Sequence, residues 1–295
     1  MSDRRGLIIC LLAGTYTIYD LDSGEKVIAK PRGVFRIKGQ SPKVGDFVKF
    51  QGCDDVNFTI TDIEKRNTDL IRPAICNISQ AFIVFSVKEP ELNLNLLDRF
   101  LTILEFSRIT PIIVFNKWDL LEPKEIDEVE KIINYYQSIG YTCIKTSAKQ
   151  KIISQLMPYI DNKISVITGQ SGVGKSSLLN VIDPTLTIKT NDISKALNRG
   201  KHTTRHVELI KINDGWLADT PGFGTMDFID MSEYDISHSF IEFFEASSKC
   251  KYHGCLHLNE PNCEVKRKVS EKEILPSRYE NYTLFISEAK KQRKW

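Results

Sequence analysis

No stretch of the 295-residue chain comes near the ~18 consecutive apolar residues that a membrane-spanning helix requires, so none is expected. No internal repeat and no low-complexity tract appears, which sets aside solenoid and tail-like architectures. A secretory leader is not expected either. The apolar run from Gly6 to Ala13 is short, alternating polar residues follow it, and a charge returns by Asp20, which suits a buried strand better. Seven cysteines, an odd number, then predict reduced thiols in a cytoplasmic protein rather than a disulfide scaffold. Charge of one sign is not in excess: 40 Lys and Arg stand against 38 Asp and Glu, for a net charge of +2. The balance is uneven along the chain. Residues 1–66 hold eleven basic against nine acidic side chains, residues 250–295 hold ten against six, and the centre is net acidic. Mildly basic ends are compatible with an RNA partner and do not require one.

What is present reads as an α/β protein of two or three domains. Residues 1–66 carry short strand-like runs ("GLIICLLAG", "YTIYDL", "EKVIAKP", "VFRIKG", "GDFVKF", "FTITDIEK") punctuated by Gly, Pro, Asp and Ser. This spacing predicts a small β-barrel, preferably of OB type, with a β-domain of another topology left open. From about Asn77 strands alternate with helices: "QAFIVFSV", "LNLLDRFLTILEFS", "TPIIVFNKWDL", "PKEIDEVEKIINYYQSIG", "YTCIKTSAK" and "KISVITGQSGVGKSSLLNVI". Two further strands are expected around "IKIN" and "WLADT". The pattern predicts a doubly wound sheet with ligand loops at the carboxyl ends of its strands. From about Ser232 the chain reads as helix, Cys/His-rich loop and helix.

"GQSGVGKS" satisfies G-x-x-x-x-G-K-[ST] in full, with Gly169, Gly174, Lys175 and Ser176 in place between a strand and a helix. Its glycines let the backbone curl around phosphates, with Gln170, Ser171, Gly172, Val173 and Ser177 lining the loop. Lys175 is expected to neutralise the β- and γ-phosphates, and the Ser176 hydroxyl to hold Mg²⁺. "DTPG" follows the buried run "WLA". There Asp219 suits Mg²⁺ organisation, and the Gly222 amide can meet a γ-phosphate.

"NKWD" follows the apolar "PIIVF". The Asp119 carboxylate can accept from guanine N1–H and N2–H₂, donors that adenine lacks in that arrangement. A site built on such bonds discriminates by about 10⁴–10⁵-fold. Asn116 is expected to brace the loop, and the Lys117 stem to lie over the base. "TSAK" ends the next strand, where the Ala148 amide between Ser147 and Lys149 could reach guanine O6. The pair argues for GTP and against an ATPase or kinase. Near the C-terminus "CKYHGCLHLNEPNC" supplies Cys250, Cys255 and Cys263 with His253 or His257, a thiolate and imidazole set that suits a closed, structural tetrahedral Zn²⁺ site.

The base-reading elements thus precede the phosphate loop, and D-T-P-G comes after it. In this order the chain resembles the circularly permuted GTPases. Within them it closely resembles the bacterial assembly factors known as ribosome small subunit-dependent GTPase A. The resemblance implies an OB-fold barrel over residues 1–66, a circularly permuted P-loop GTPase domain over 67–231 and a helical zinc-binding domain over 232–295. It selects His257 as the fourth ligand of one structural zinc per chain. "GKHTTRH" resembles the family's first switch loop. There Thr204, favoured over Thr203, would add a hydroxyl to the Mg²⁺ that accompanies GTP, and His202 is the candidate for positioning water. The catalytic set so implied is His202, Thr204, Lys175 and Asp219. The implied activity is GTP hydrolysis to GDP and phosphate, activated by the small ribosomal subunit late in its assembly, with contacts to its rRNA and none to a membrane. A monomer is the default expectation. Phe223 stands where many GTPases place a water-orienting glutamine. That keeps open a nucleotide-gated RNA-binding module whose hydrolysis is incidental.

Overall fold

The computed structural model describes residues 3–33, 35, 40–52, 58–70, 74–186, 207–219, 227–228 and 230–292, with the backbone alone for Asp219 and Gln292. Five strands come first: β1 (Arg4–Leu12), β2 (Thr15–Asp20), β3 (Lys26–Pro31), β4 (Phe47–Gly52) and β5 (Phe58–Ile63). A short ladder follows, β6 (Asp69–Leu70) with β7 (Ile75–Cys76). Strands and helices then alternate through β8 (Gln80–Ser86), α1 (Leu94–Phe106), β9 (Thr110–Asn116), α2 (Pro123–Ser138), β10 (Thr142–Lys145), α3 (Met157–Ile160), β11 (Ile164–Thr168), α4 (Lys175–Ile182), β12 (Leu209–Ile212) and β13 (Gly215–Asp219). Four helices close the described chain: α5 (Glu233–His238), α6 (Ile241–Ser247), α7 (Glu264–Ser270) and α8 (Pro276–Gln292). The run at 34–39, expected to be strand-like, is described only at Phe35, which is helical. The fold divides into two compact units. One comprises Met1–Gln80, Leu156–Thr168 and Ser176–Gly224; the other comprises Ala81–Gln155, Gly169–Lys175 and Thr225–Trp295.

In the first unit the strands close a barrel in the order β1-β2-β3-β5-β4, with β1 antiparallel to β4 and β3 parallel to β5. This is the five-stranded Greek-key barrel of OB type. Alternation sends Tyr16 and Ile18 of β2 inward beside Leu7, Val48, Phe50 and Ile60. Asp20 goes inward too. Burial alone would raise its pKa, but the backbone amides of Asp22 and Ser23 and the Arg4 guanidinium outweigh that and hold it below the usual carboxylate range. Behind the barrel, Arg66 grips the fully buried Asp46 through two bonds of 2.7 and 2.8 Å, and the Cys76 thiol donates to the same carboxylate at 3.0 Å. Burial pushes that thiol far above its ordinary pKa, so it is an inert packing group. The unit also holds β11, β13 and β12 side by side, β11 parallel and β12 antiparallel to β13. Tyr19 of β2 packs its ring edge-on against Trp216 of β13 at 4.9 Å and accepts from Lys211 Nζ of β12 at 2.6 Å.

In the second unit β9 lies between β8 and β10, parallel to β10. β8 is buried at every position and β9 at all but its first, the pattern of strands covered on both faces. Local chemistry sets the helix starts. The Asn93 side chain caps α1 by accepting from the Leu96 amide, and Glu122 with Glu125 forms a capping box ahead of Pro123 at the start of α2. The C-terminal helices pack Phe228, Phe240, Phe243, Tyr282, Phe285 and Ile286 into one core. At its edge Arg278 of α8 is 1 % exposed. Its guanidinium donates to Glu242 of α6 at 2.8 and 2.9 Å and to Asp98 of α1 at 2.8 Å. Asp98 is completed by the Tyr136 hydroxyl of α2 at 2.6 Å and the Asn281 amide at 2.6 Å. Two carboxylates therefore share one guanidinium away from water, and four helices meet there.

Removing one partner from such a set strands charge in the interior at about 3–5 kcal/mol. Arg278→Met is expected to lower the unfolding free energy by that order in urea titration. A loss below about 1 kcal/mol would mean that Arg278 contributes packing alone.

Candidate nucleotide site and metal centre

Asn116 closes β9 and is 1 % exposed. Its Nδ2 donates to the carbonyl of Val173 in the glycine-rich loop at 2.9 Å. Its Oδ1 accepts from the Thr146 hydroxyl at 3.1 Å and from the Ala148 amide at 3.4 Å. One carboxamide thus ties "NKWD", "TSAK" and "GQSGVGKS" together. Lys117 next adopts the left-handed region at φ 62°, turning the chain into the 3-10 turn Trp118–Leu120. Its Nζ is held by the Glu89 carbonyl. The Trp118 amide donates to the Thr146 carbonyl at 3.1 Å, and the Ser147 hydroxyl donates to Asp119 Oδ1. Lys149 is exposed at the rim.

The loop before α4 curls around its own lysine. Lys175 Nζ donates to the carbonyls of Gly169 at 2.7 Å and Gln170 at 2.8 Å. Gln170, Ser171 and Gly172 are exposed, whereas Val173 is buried. Two glycines are demanded by contact as well as dihedral. At Gly169, φ +144°, a Cβ would sit 2.1 Å from the Val84 carbonyl oxygen. At Gly174, φ +94°, it would sit 2.4 Å from Asn116 Nδ2, so the Asn116–Val173 bond needs glycine there. In the other unit, Ser176 and Ser177 occupy the first turn of α4 with Ser176 buried, and Asp219 ends β13. His202, Thr203, Thr204, Gly222 and Phe223 lie outside the described residues.

In the second unit Cys250, Cys255, His257 and Cys263 bring four donor atoms within 4.8 Å of one another. His257 Nδ1 is 3.3 Å from Cys263 Sγ and 3.7 Å from Cys250 Sγ, while the rival His253 is exposed. Glu260 accepts from the amides of Leu256 and Leu258, both at 2.8 Å, and Tyr279 and Tyr282 donate to the carbonyls of His257 and Leu256. Burial pushes the Cys255 thiol up to about 12 and raises Cys263 as well, each partly opposed by a backbone amide, of His257 and Lys266 respectively. Burial likewise depresses His257. Three crowded sulfurs and a neutral imidazole are a donor set that fits a metal ion. The charge of such an ion would favour the thiolates that burial disfavours.

The RsgA GTPase family matches residues 63–229, and the RsgA N-terminal domain matches residues 5–60. A Bacillus cereus protein named small ribosomal subunit biogenesis GTPase RsgA is 46 % identical over 289 residues, covering 98 % of each chain. The chain belongs to the RsgA GTPase family. Among solved structures, YloQ, described as a circularly permuted GTPase, is 40 % identical with a TM-score of 0.86 over 99 % of this chain and 96 % of its own. YjeQ from Thermotoga maritima is 34 % identical with a TM-score of 0.87 over 98 % and 99 %. The reversed motif order is therefore circular permutation, and the chain is a GTPase. Membership in the RsgA family does not favour the binding module with incidental hydrolysis. Sequence reasoning missed Thr146 as a site residue and did not foresee that the Val173 carbonyl, placed there in the loop, is a partner of Asn116. No described helix is long and apolar enough to cross a membrane.

Gly174→Ala is expected to displace the Asn116 carboxamide and weaken GDP binding by about 5–150-fold, the worth of about 1–3 kcal/mol of buried hydrogen bonding. Titration with a fluorescent GDP analogue measures it; wild-type affinity would dismiss the Asn116 tie. A metal held at this cluster would, once chelated away, be expected to lower the melting temperature by about 10 °C, since metal binding at such sites is folding energy. Cys255→Ser should reproduce the drop. Because the thiols must lose protons to bind, retention should weaken as pH falls, which release to a chromogenic chelator would follow.

Proposed function

We propose that the chain hydrolyses GTP in small ribosomal subunit biogenesis with the residues assembled around Asn116. In this reading Asp119 accepts from guanine N1–H and N2–H₂, Lys117 and Lys149 flank the base, and the Ala148 amide meets O6. Ser147, already bonded to Asp119, orients that carboxylate. The loop Gly169–Ser177 wraps the phosphates, and Lys175 exchanges its two carbonyl partners for phosphate oxygens. The single observation that carries this reading is the Asn116 carboxamide bridging the phosphate loop and the Ala148 amide.

Ser176, buried in the first turn of α4, with Thr204 and Asp219, would hold the Mg²⁺ that accompanies GTP and neutralises phosphate charge. Gly222 would contact the γ-phosphate and His202 would position water. With Phe223 in place of a glutamine, intrinsic hydrolysis is slow and needs a partner that supplies missing transition-state contacts. We assign residues 1–66 to the barrel, 67–231 to the GTPase domain and 232–295 to a domain stapled by one zinc through Cys250, Cys255, His257 and Cys263. The barrel and the zinc domain grip rRNA of the small subunit. The protein acts as a cytoplasmic monomer.

Steady-state GTP hydrolysis with and without purified small subunits tests this. A rise of about 10²-fold or more, specific to small subunits, is expected from supplying missing transition-state contacts. No rise despite binding of both GTP and subunits would reject partner-activated hydrolysis. Asp119→Asn should shift preference from guanine to xanthine nucleotides. Unaltered preference would reject the base assignment.

A further inference from the structure

The turn that carries Asp119 is not self-supporting. Lys117 sits in the left-handed region, unfavourable for a side chain of its length, and Trp118–Leu120 is a single 3-10 turn. Two lysines outside the nucleotide motifs brace it from opposite sides, and α2 anchors both. On one side Lys88 Nζ donates to Glu125 of α2 at 2.9 and 3.0 Å. The adjacent Glu89 carbonyl receives Lys117 Nζ. On the other side Lys145, the last residue of β10, is paired with Glu130 of α2. Its Nζ lies 4.8 Å from the centroid of the Trp118 ring. Trp118 is thus held by its amide on the Thr146 carbonyl and by its ring on the Lys145 cation.

We propose that Lys145, stacked on Trp118 and anchored by Glu130, is a positioning residue that presets the guanine-reading carboxylate of Asp119, with Lys88 and Glu125 steadying the opposite flank. The proposal rests on the reading of Asp119 given above. Lys145 is partly exposed and lies outside the glycine-rich loop, so its influence falls on affinity and leaves the chemical step alone. A turn held in its bound shape loses less freedom on binding, which lowers the dissociation constant. An exposed cation–π contact has a modest worth, equivalent to about 2–5-fold in an equilibrium constant.

Lys145→Met keeps the stem and removes the cation. It is expected to raise KM for GTP and the dissociation constants of GTP and GDP by about 2–5-fold with kcat unchanged. Lys145→Arg, which preserves both the stacking and the pairing with Glu130, should restore them. Trp118→Leu should give the same increase, and adding Lys145→Met to it should bring no further loss. Unchanged affinity in Lys145→Met, a fall in kcat at constant KM, or a failure of arginine to rescue would overturn the proposal. Asp119→Asn run alongside separates the two levels. If it leaves guanine preference intact, the underlying assignment fails. If it abolishes that preference while Lys145→Met binds as wild type does, the brace alone fails.

Discussion

The Asn116 carboxamide is the constraint around which the proposed nucleotide site is organised. In the proposed site a turn near residue 117 is held against a glycine-rich loop near residue 173, although the chain reaches them in the unusual order. Asn116 spends its donor on Val173 and its acceptor on Thr146 and Ala148. The bonds to Val173 and Thr146 are buried, so breaking either leaves a polar group without water to replace its partner. Geometry around that side chain then dictates neighbouring sequence. Gly174 is glycine because a Cβ would collide with Asn116 Nδ2, and Gly169 because one would collide with Val84. Permutation changes the order in which these loops are synthesised and leaves intact the contacts that bind them.

The Arg278 cluster plays the corresponding part among the helices. Burying Asp98, Glu242 and Arg278 together carries a large desolvation cost, offset only because nearly every oxygen and N–H finds a partner. Such an arrangement is unforgiving of displacement. It therefore fixes where α1, α2, α6 and α8 meet more sharply than the surrounding Phe and Tyr side chains could. The same α2 that supplies Tyr136 to this cluster offers Glu125 and Glu130 to the lysines beside the turn that carries Asp119. One helix thus bears on both the C-terminal core and the loops around Asp119.

In the first unit, β12 and β13 join the stretch read as the first switch loop to Asp219 and D-T-P-G. Tyr19 of the barrel rests on this hairpin through Trp216 and Lys211. A contact of one aromatic edge and one cation is modest in energy, on the order of 1–2 kcal/mol. It is nonetheless directional, because the Lys211 ammonium meets both the Tyr19 hydroxyl and the face of its ring.

Much of this was legible in the sequence because local rules carried it. The glycine-rich loop, "NKWD", "TSAK" and the spaced cysteines are short segments whose residue types meet a chemical requirement wherever they fold. Alternation in β2 and the unbroken apolar run of β8 declared one buried face and two respectively. Capping residues such as Asn93 and Glu122 act within one turn. What the sequence left open depended on distance in space. Of two histidines four residues apart, residue type alone chose neither and only the family resemblance pointed to His257; the folded loop turns His257 toward the sulfurs and leaves His253 exposed. Arg278, one of 40 basic residues, was distinguished by partners 36 and 180 positions away. Lys145 and Lys88 lie outside the nucleotide motifs, and only the fold brings a carboxylate of α2 to each. The sequence by itself determined the chemistry available and the elements that carry it. Which side chains spend their hydrogen bonds on one another was decided by tertiary structure, because burial makes an unpartnered polar group costly and only the fold settles what is buried beside what.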